Sequence, residues 1–192
     1  ILESFRNFRR SVVVKPCQGN QGKGVSLDLK TESDVLAAFR LAEVYDSKVI
    51  IEEYIQGNNY RLLVINGKLV AAAQRIPPMV TGNGKLTIKE LVEQENKNPR
   101  RGEGHENYLT KISLDSVVVM DLYRQGLSLS SIPSKGEKIM LRQSANLSTG
   151  STAIDVTDII HPDNSELAIY ATSILGLDIA GVDLILGDLS QS

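Results

Sequence analysis

The residues Val12-Val13-Val14-Lys15-Pro16 run directly into Gln18-Gly19-Asn20-Gln21-Gly22-Lys23-Gly24, a junction that constrains the fold more than any other stretch of the chain. Three β-branched residues in succession favour a strand. Pro16 ends it and holds Lys15 extended, leaving one lysine at the end of an otherwise apolar strand. Gly19, Gly22 and Gly24 then permit a turn that brings bare N–H groups against an anion. The order Gly-x-x-Gly-x-Gly is not a dinucleotide fingerprint, and no Lys-Ser or Lys-Thr closes the loop as in a Walker A motif. Taken alone, the loop fits a phosphate cradle and a ligand-free glycine turn equally well.

The chain has 192 residues, enough to bury a sizeable core in one domain or two small lobes. A formal charge of −2 with mixed signs offers no broad basic field for nucleic acid or an anionic membrane. Cys17 is the single cysteine, which excludes a disulfide framework and a cysteine-based zinc cluster. His105 and His161 are too few and too scattered for a metal cage. No apolar run approaches the roughly 20 residues that span a bilayer. Residues 1–10 read as the tail of an amphipathic helix and not as a signal peptide. The expectation is a cytoplasmic protein with no nucleic-acid or membrane partner. An opening residue other than Met, and an end in mid-element at Gly187 to Ser192, suggest a piece of a longer protein.

Periodicity divides the chain further. Thr31-Glu32-Ser33-Asp34 resembles a capping box opening a helix with Val35, Ala38, Phe39 and Ala42 on one face and an end near Asp46. Val49 to Glu53 reads as a buried strand. Tyr60 to Ile65 and Lys68 to Arg75 form a hairpin through Asn66-Gly67, a pair suited to a type I′ turn, and Pro77-Pro78 stops the second strand. Thr87 and Glu90 have capping-box spacing for a short helix to Asn96. Asn96 to Glu106 is charged and rich in breakers, a long exposed loop of the kind that is often functional. A helix is expected from about Asp115 to Gln125 with Gly126 at C′, and a strand from Lys138 to Gln143. A helix from Asp163 to Leu175 shows Leu167, Ala168, Ala171, Ile174 and Leu175 as its apolar face, with Gly176 as its stop. Ile179 to Leu186 is a strand interrupted by Gly181.

Three further places can carry chemistry. The segment Glu52-Glu53-Tyr54-Ile55-Gln56-Gly57-Asn58-Asn59 suits a hinge whose backbone and polar groups read an adenine edge and a ribose, or a solvated linker. Arg142 leads into Ser144-Ala145-Asn146-Leu147-Ser148-Thr149-Gly150, where N–H and O–H donors beside a guanidinium fork suit a carboxylate or phosphate; the alternative is an arginine anchoring a surface turn. Asp183, on an apolar strand, must be paired, hydrogen-bonded or metal-bound. A lysine partner and Mg²⁺ are equally open.

In this order the pieces resemble the ATP-grasp fold, and in particular the ATP-grasp domain of the cyanophycin synthetase family, over residues 10–188. The resemblance rests on Val-Val-Val-Lys-Pro at 12–16, Tyr-Arg-Leu-Leu-Val-Ile-Asn-Gly-Lys-Leu-Val-Ala-Ala-Ala at 60–73, and Pro-Arg-Arg-Gly-Glu-Gly-His-Glu-Asn at 99–107. It also rests on Ala-Asn-Leu-Ser-Thr-Gly at 145–150, Thr-Ala-Ile-Asp at 152–155 and Gly-Leu-Asp-Ile-Ala-Gly-Val-Asp at 176–183. It implies an α+β fold of two lobes, with mainly antiparallel sheets clamping ATP: a small lobe over 1–56 and a larger one over 57–192. It implies an ATP- and Mg²⁺-dependent ligase that adds aspartate to the C-terminus of a cyanophycin primer through an acyl phosphate. On the same resemblance Lys15 contacts the α/β-phosphates, and the loop with Gly19, Gly22 and Gly24 closes over the triphosphate. Glu52, Glu53 and the Ile55 backbone hold adenine, and Asn59 reaches the ribose. Asp183 is a Mg²⁺ ligand, Arg142 and Asn146 sit beside the acyl phosphate, and His105 and Glu106 gate or contact substrate. A homo-oligomeric parent protein is also implied.

Two departures from the family open alternatives. Asn59 stands where the family usually has an acid, which leaves room for a degenerate, non-catalytic nucleotide-binding module. The family's Glu-x-Asn metal string would follow Asp183 by about one hairpin, beyond Ser192, so the larger lobe is expected to be truncated and the 192 residues alone to turn over little. A polymerase of preformed aspartyl-arginine dipeptides shares the same domain and is a further alternative.

Overall fold

The computed structural model describes residues 1–19, 22–104 and 107–192. After a short helix α1 (Leu2–Arg6), the valine run forms β1 (Val12–Pro16). It is the middle strand of an antiparallel sheet with β2 (Ser26–Leu29) and, after helix α2 (Glu32–Glu43), β3 (Val49–Glu53). Alternation along β1 sends Val12 and Val14 under α2, where they pack with Leu29, Val35, Ala38 and Ala42. Val13 and Lys15 take the opposite face.

Three expectations for this part need correction. The Thr31 Oγ1 caps α2 by accepting from the Asp34 N–H, but the capping box is not reciprocal. Asp34 is too short to reach back to the cap N–H, and its carboxylate instead accepts from the Thr31 hydroxyl at 2.7 Å. α2 also ends at Glu43, before Asp46. Strand β3 is not buried: it pairs with β1 alone and lies at the sheet edge, with Val49 to Ile51 half-buried and Glu52 and Glu53 exposed.

The hairpin is β4 (Asn58–Ile65) and β5 (Lys68–Ile76), with φ of +48° at Asn66 and +69° at Gly67. Positive φ at both central residues is the type I′ signature, which suits the twist of the flanking strands. Beyond Pro77-Pro78 lie β6 (Met79–Thr81), α3 (Ile88–Glu95), the two-residue strands β7 (Arg101–Gly102) and β8 (Leu109–Thr110), α4 (Ser116–Arg124) and β9 (Lys138–Met140). The chain returns through β10 (Thr152–Asp155), α5 (Pro162–Ile174) and β11 (Ile179–Leu186) to complete a sheet of order β10-β5-β4-β11.

In β11 Gly181 does not interrupt the strand; the register with β4 is continuous from Ile179↔Ile65 to Leu186↔Asn58. The glycine instead leaves room for a neighbour, since a Cβ at 181 would collide with the Arg61 Nη1. The expected apolar face of α5 is also wrong. Asn164, Ala168 and Thr172 point inward, whereas Leu167, Ile174 and Leu175 are exposed. The inner stripe tolerates polar residues because each finds a carbonyl. The Asn164 Nδ2 donates to the Leu189 and Gln191 carbonyls, and the Thr172 hydroxyl to that of Ala168.

Between β5 and β10 in sequence lies a separate hydrophobic cluster of Val80, Ile88, Leu91, Val92, Ile112, Val118, Leu122, Ile139 and Leu141. Its helices are well delimited. Thr87 and Glu90 form a complete capping box, and Asp115 caps α4. Gly126 at φ +72° ends α4 in a Schellman motif, with Leu127 N–H donating to the Leu122 carbonyl and Gly126 N–H to that of Tyr123. β9 stops at Met140, short of Gln143, because its partner β6 begins only after the prolines; the Leu141 N–H makes the last bond, to the Pro78 carbonyl. The loop after Asn96 is not fully exposed either, since β7 pairs in parallel with β8 and Arg101 is buried. The fold is α+β, with antiparallel pairing in every sheet of more than two strands. Among the described residues no helix is long and apolar enough to cross a membrane.

Leu122 is fully buried on α4, so Leu122→Ala should lower stability by about 2–5 kcal/mol through lost burial and a cavity. Chemical denaturation followed by circular dichroism measures it.

Candidate functional site

A cleft of about 1120 Å³ opens between the first sheet and the four-stranded sheet. Lys15, Gly22, Glu52, Glu53, Ile55, Asn59, Asn146 and Asp183 all line it, so residues 168 positions apart in the chain (183 − 15) meet in one space. Gly19 instead borders a shallower hollow of about 470 Å³ with Gln18, Lys23 and Tyr45. Gly24 lies under Tyr45, whose ring would be 2.6 Å from a Cβ at that position. Arg142 does not line the cleft. His105 and Glu106 lie outside the described residues.

The floor follows from strand alternation. Lys15 and Val13 share the cleft face of β1, and the register sets Val13 opposite Glu52 on β3. The Lys15 ammonium therefore meets the Glu52 carboxylate at 2.7 Å. Both groups are partly exposed, and such a pair is worth about 0–1 kcal/mol, so an incoming anion can take the lysine at little cost. The stem of the glycine loop is fixed from the turn after α2. Asp46 accepts from the Lys48 N–H at 3.0 Å and the Gln18 N–H at 2.7 Å. Those two backbone bonds, that of Lys48 first, hold its pKa below the usual carboxylate range.

The opposite wall carries Asp183 directly across from Arg61, the two strands' register making them neighbours. The Arg61 Nε and Nη2 donate to the two carboxylate oxygens at 2.6 and 2.9 Å, a bidentate fork. Arg75, across β5 from Asn59, brings its Nη1 to 3.7 Å from the same carboxylate. The partner of Asp183 is thus arginine, not lysine. Two guanidiniums facing one carboxylate leave this wall with surplus positive charge. Burial, and then the neighbouring Arg61, lower the Arg75 pKa from its ordinary value, with Asp183 opposing. Among the described residues no three His, Cys, Asp or Glu side chains gather as a metal site. Asp183 offers a single carboxylate.

The roof is the segment 143–146. Gly22, at φ +72°, touches it so closely that a Cβ would fall 2.6 Å from the Asn146 Nδ2. Behind the roof, the buried Arg142 donates through Nη2 to Asp115, and its Nε has no partner among the described residues. The next residue is held too: the Gln143 N–H donates to the Asp121 carboxylate at 3.2 Å. Asp121 is buried beside the cleft, and burial pushes its carboxyl above the usual range against the pull of the Gln143 N–H, Arg124 and Arg142.

Sequence reasoning did not single out Arg75, Asp121 or Arg101. Asp121 had a signal, because it shares the inward face of α4 with Val118 and Leu122; a carboxylate on an apolar face needs an explanation. Arg75 had a weaker one, its place across the hairpin from Asn59. Arg101 had none within a stretch that reads as uniformly polar.

Comparison with known proteins gives a consistent set. Residues 1–103 match the family model described as prokaryotic glutathione synthetase, ATP-grasp domain. Cyanophycin synthetase from Geminocystis herdmanii is 47% identical over 94% of this chain, which covers 21% of that protein. The glutathione biosynthesis bifunctional protein GshAB of Clostridium perfringens is 41% identical over 98% of the chain, which covers 25% of its length. The chain thus spans about a fifth to a quarter of these relatives. The crystal structure of a bifunctional glutathione synthetase from Pasteurella multocida superposes over 99% of this chain and 26% of its own, with a TM-score of 0.60 at 36% identity. D-alanine–D-alanine ligase from Bacillus anthracis shares the fold over 98% of this chain and 43% of its own, with a TM-score of 0.51 at 12% identity.

The raised Asp121 pKa has a testable sign. A carboxyl whose folded pKa lies above its unfolded value loses stability as pH rises through the interval between them, which begins at about 4. Asp121→Asn keeps an acceptor for the Gln143 N–H and removes the charge. Its stability relative to the unaltered chain should therefore improve as pH rises from 4 upward and then level off. Urea denaturation at a series of pH values checks it; a difference independent of pH would contradict the burial effect.

Proposed function

The chain belongs to the family of prokaryotic glutathione synthetase ATP-grasp domains, and from that premise we propose that it is the nucleotide-binding part of an ATP-dependent carboxylate–amine ligase. The observation that carries this reading is the meeting in one cleft of Lys15, the Glu52–Ile55 connector, Asn59 and Asp183. In this reading the lobes are residues 1–56 and 57–192. The Glu53–Ile55 backbone and Glu52 border the base, Asn59 reaches the ribose, and Lys15 exchanges Glu52 for the α/β-phosphates. The glycine loop, tethered at Gln18 by Asp46, covers the triphosphate.

Carboxylates are poor electrophiles, so ligation proceeds by transfer of the ATP γ-phosphoryl to the carboxylate with release of ADP, and then by amine attack on the acyl phosphate, which forms the amide and releases phosphate and a proton. The protein's part is charge neutralisation and exclusion of water. Lys15 and the surplus cation of the Arg61–Arg75–Asp183 wall supply the first. The approach of Gly22 to Asn146 closes the roof and supplies the second. Mg²⁺ is commonly held by one or two carboxylates together with substrate phosphates, and Asp183 fits such a role once Arg61 releases it. When bound, the ion would neutralise phosphoryl charge. Arg142, behind the roof, has an Nε with no partner among the described residues and, with Asn146, stands next to where an acceptor carboxylate would lie.

For the substrate, we favour aspartate added to the C-terminus of a cyanophycin primer. The relatives named cyanophycin synthetase are 46–48% identical over nearly the whole chain, against 37–43% for the GshAB proteins. Polymerisation of aspartyl-arginine dipeptides belongs to the same reading. The work is proposed to take place within a longer polypeptide, with little turnover by the 192 residues alone.

The test is ADP release by the parent polypeptide with Mg²⁺-ATP, primer and candidate amino acids. ADP that requires primer and aspartate together is the expected result, and Lys15→Ala should reduce it at least about 100-fold, in line with loss of one charge-stabilising group. ADP with the dipeptide but not with aspartate would move the assignment to the dipeptide polymerase. ADP with glutamyl-cysteine and glycine would move it to glutathione synthesis. A folded protein that releases none is a non-catalytic nucleotide-binding module.

A further inference from the structure

Arg101 is the most deeply buried cation whose partners are mostly uncharged. Its side chain is 4% exposed, and its ion-pair partner Glu95, at 3.0 Å, is 41% exposed. A buried guanidinium is expensive to desolvate, and an apolar residue of similar size would often serve stability as well. What an apolar residue cannot do is donate. The Arg101 Nη1 donates to the Thr110 carbonyl at 2.7 Å and also to the Gly150 carbonyl at 3.0 Å. One nitrogen thus bridges the foot of the 102–110 loop and the end of the Leu147–Thr149 turn, 40 residues further along the chain (150 − 110).

The surrounding contacts make that bridge rigid. Gly150 sits at φ +98°, and a Cβ there would lie 2.8 Å from the Ile112 Cα, so the backbone of the two segments is in direct contact. Ile112 is itself clamped. The Asn96 Nδ2 donates to its carbonyl at 2.9 Å, and its N–H donates to the Asn96 Oδ1 at 2.8 Å. Glu95 and Asn96 both come from the C-terminal end of α3, a helix anchored in the central hydrophobic cluster through Ile88, Leu91 and Val92. A firm helix end therefore holds Arg101 and Ile112, and those two hold Gly150. Among the described residues the Ser151 Oγ beside Gly150 is buried without a hydrogen-bond partner, as are the Arg142 Nε and Gln143 Oε1 at the other end of the segment. On the far side of Gly150 the chain is next fixed at Thr152, where β10 begins its pairing with β5, so the Arg101 bridge is what ties the turn itself to the 102–110 segment.

We infer that Arg101 is a positioning residue: its forked donation to the Thr110 and Gly150 carbonyls sets the Leu147–Gly150 turn, and with it the Asn146 roof, at the acceptor end of the cleft. That this end receives a carboxylate-bearing acceptor rests on the ligase reading above; the contact itself does not.

The experiment is residue-resolved amide hydrogen exchange on the 192-residue chain, together with steady-state ligation by the parent polypeptide. Arg101→Met should raise exchange at Thr149 and Gly150 about tenfold while β4 and β5 keep theirs, because the loss is local. It should raise the KM for the acceptor about tenfold and leave the KM for ATP within about twofold. Arg101→Lys keeps a charged donor but on a shorter side chain without the separate Nε bond to Glu95, so it should give a smaller change in the same direction, and it replaces Arg101→Met if that variant does not fold. Glu95→Gln retains both carbonyl bonds and should leave exchange and both KM values unchanged. Unaltered exchange at 147–150 overturns the inference whatever the enzyme's activity, as does a uniform rise throughout the chain. So does a Glu95→Gln variant that behaves like Arg101→Met. If exchange responds locally but the unaltered protein never ligates, the ligase reading fails and the positioning contact stands.

Discussion

Strand β1 is hydrogen-bonded along both edges, which leaves its side chains only two directions, and the chain uses each for a different purpose. Val12 and Val14 go under α2 and build the core of the first sheet. Val13 and Lys15 face the cleft. A register slip by one residue would exchange the two sets and bury the lysine, so the position of the Lys15 ammonium is secured by the burial of its neighbours. The same strand carries the glycine loop on its C-terminal end, and β3 beside it leads into the connector at Glu53–Ile55. The Lys15 ammonium, the stem of the glycine loop and the connector are thereby placed by β1 and its neighbour β3.

The second sheet supplies the opposite wall through the same alternation, but with charge as the organising feature. Arg61 and Asp183 are cross-strand partners, and Gly181 makes space for the guanidinium. Two charged groups in the cleft are each held by another protein group: Lys15 by Glu52 and Asp183 by Arg61. These pairs are partly exposed, so a ligand can replace one partner without leaving a buried charge uncompensated. Arg142 differs, being buried and bound to Asp115. Recruiting it to a substrate costs a rearrangement, whereas Lys15 needs only to change partners.

How far the sequence anticipated this depended on whether the signal was local. The Asn66-Gly67 turn, the Thr87 capping box and the Gly126 stop are properties of a few adjacent residues, and each appears where the residues predict it. So does the gathering of Lys15, the connector and Asp183, because strand order in an ATP-grasp fold brings them together. What failed was context. Whether Val49–Glu53 is a central or an edge strand depends on what pairs with β1. The inward face of α5 is set by carbonyls at 189 and 191 that satisfy Asn164, not by hydropathy. Arg101 reads as one more charge in a polar loop, and only the fold reveals that it is buried between two carbonyls.

Amide NMR of the folded chain titrated with ATP and Mg²⁺ is the decisive test of the proposed ATP site between the two sheets. Saturable shifts at one ATP per chain, concentrated at Lys15, Glu53 to Ile55, Asn59 and Asp183, are the predicted result. A folded chain whose spectrum is unchanged at millimolar ATP, or whose shifts cluster away from these residues, would contradict it.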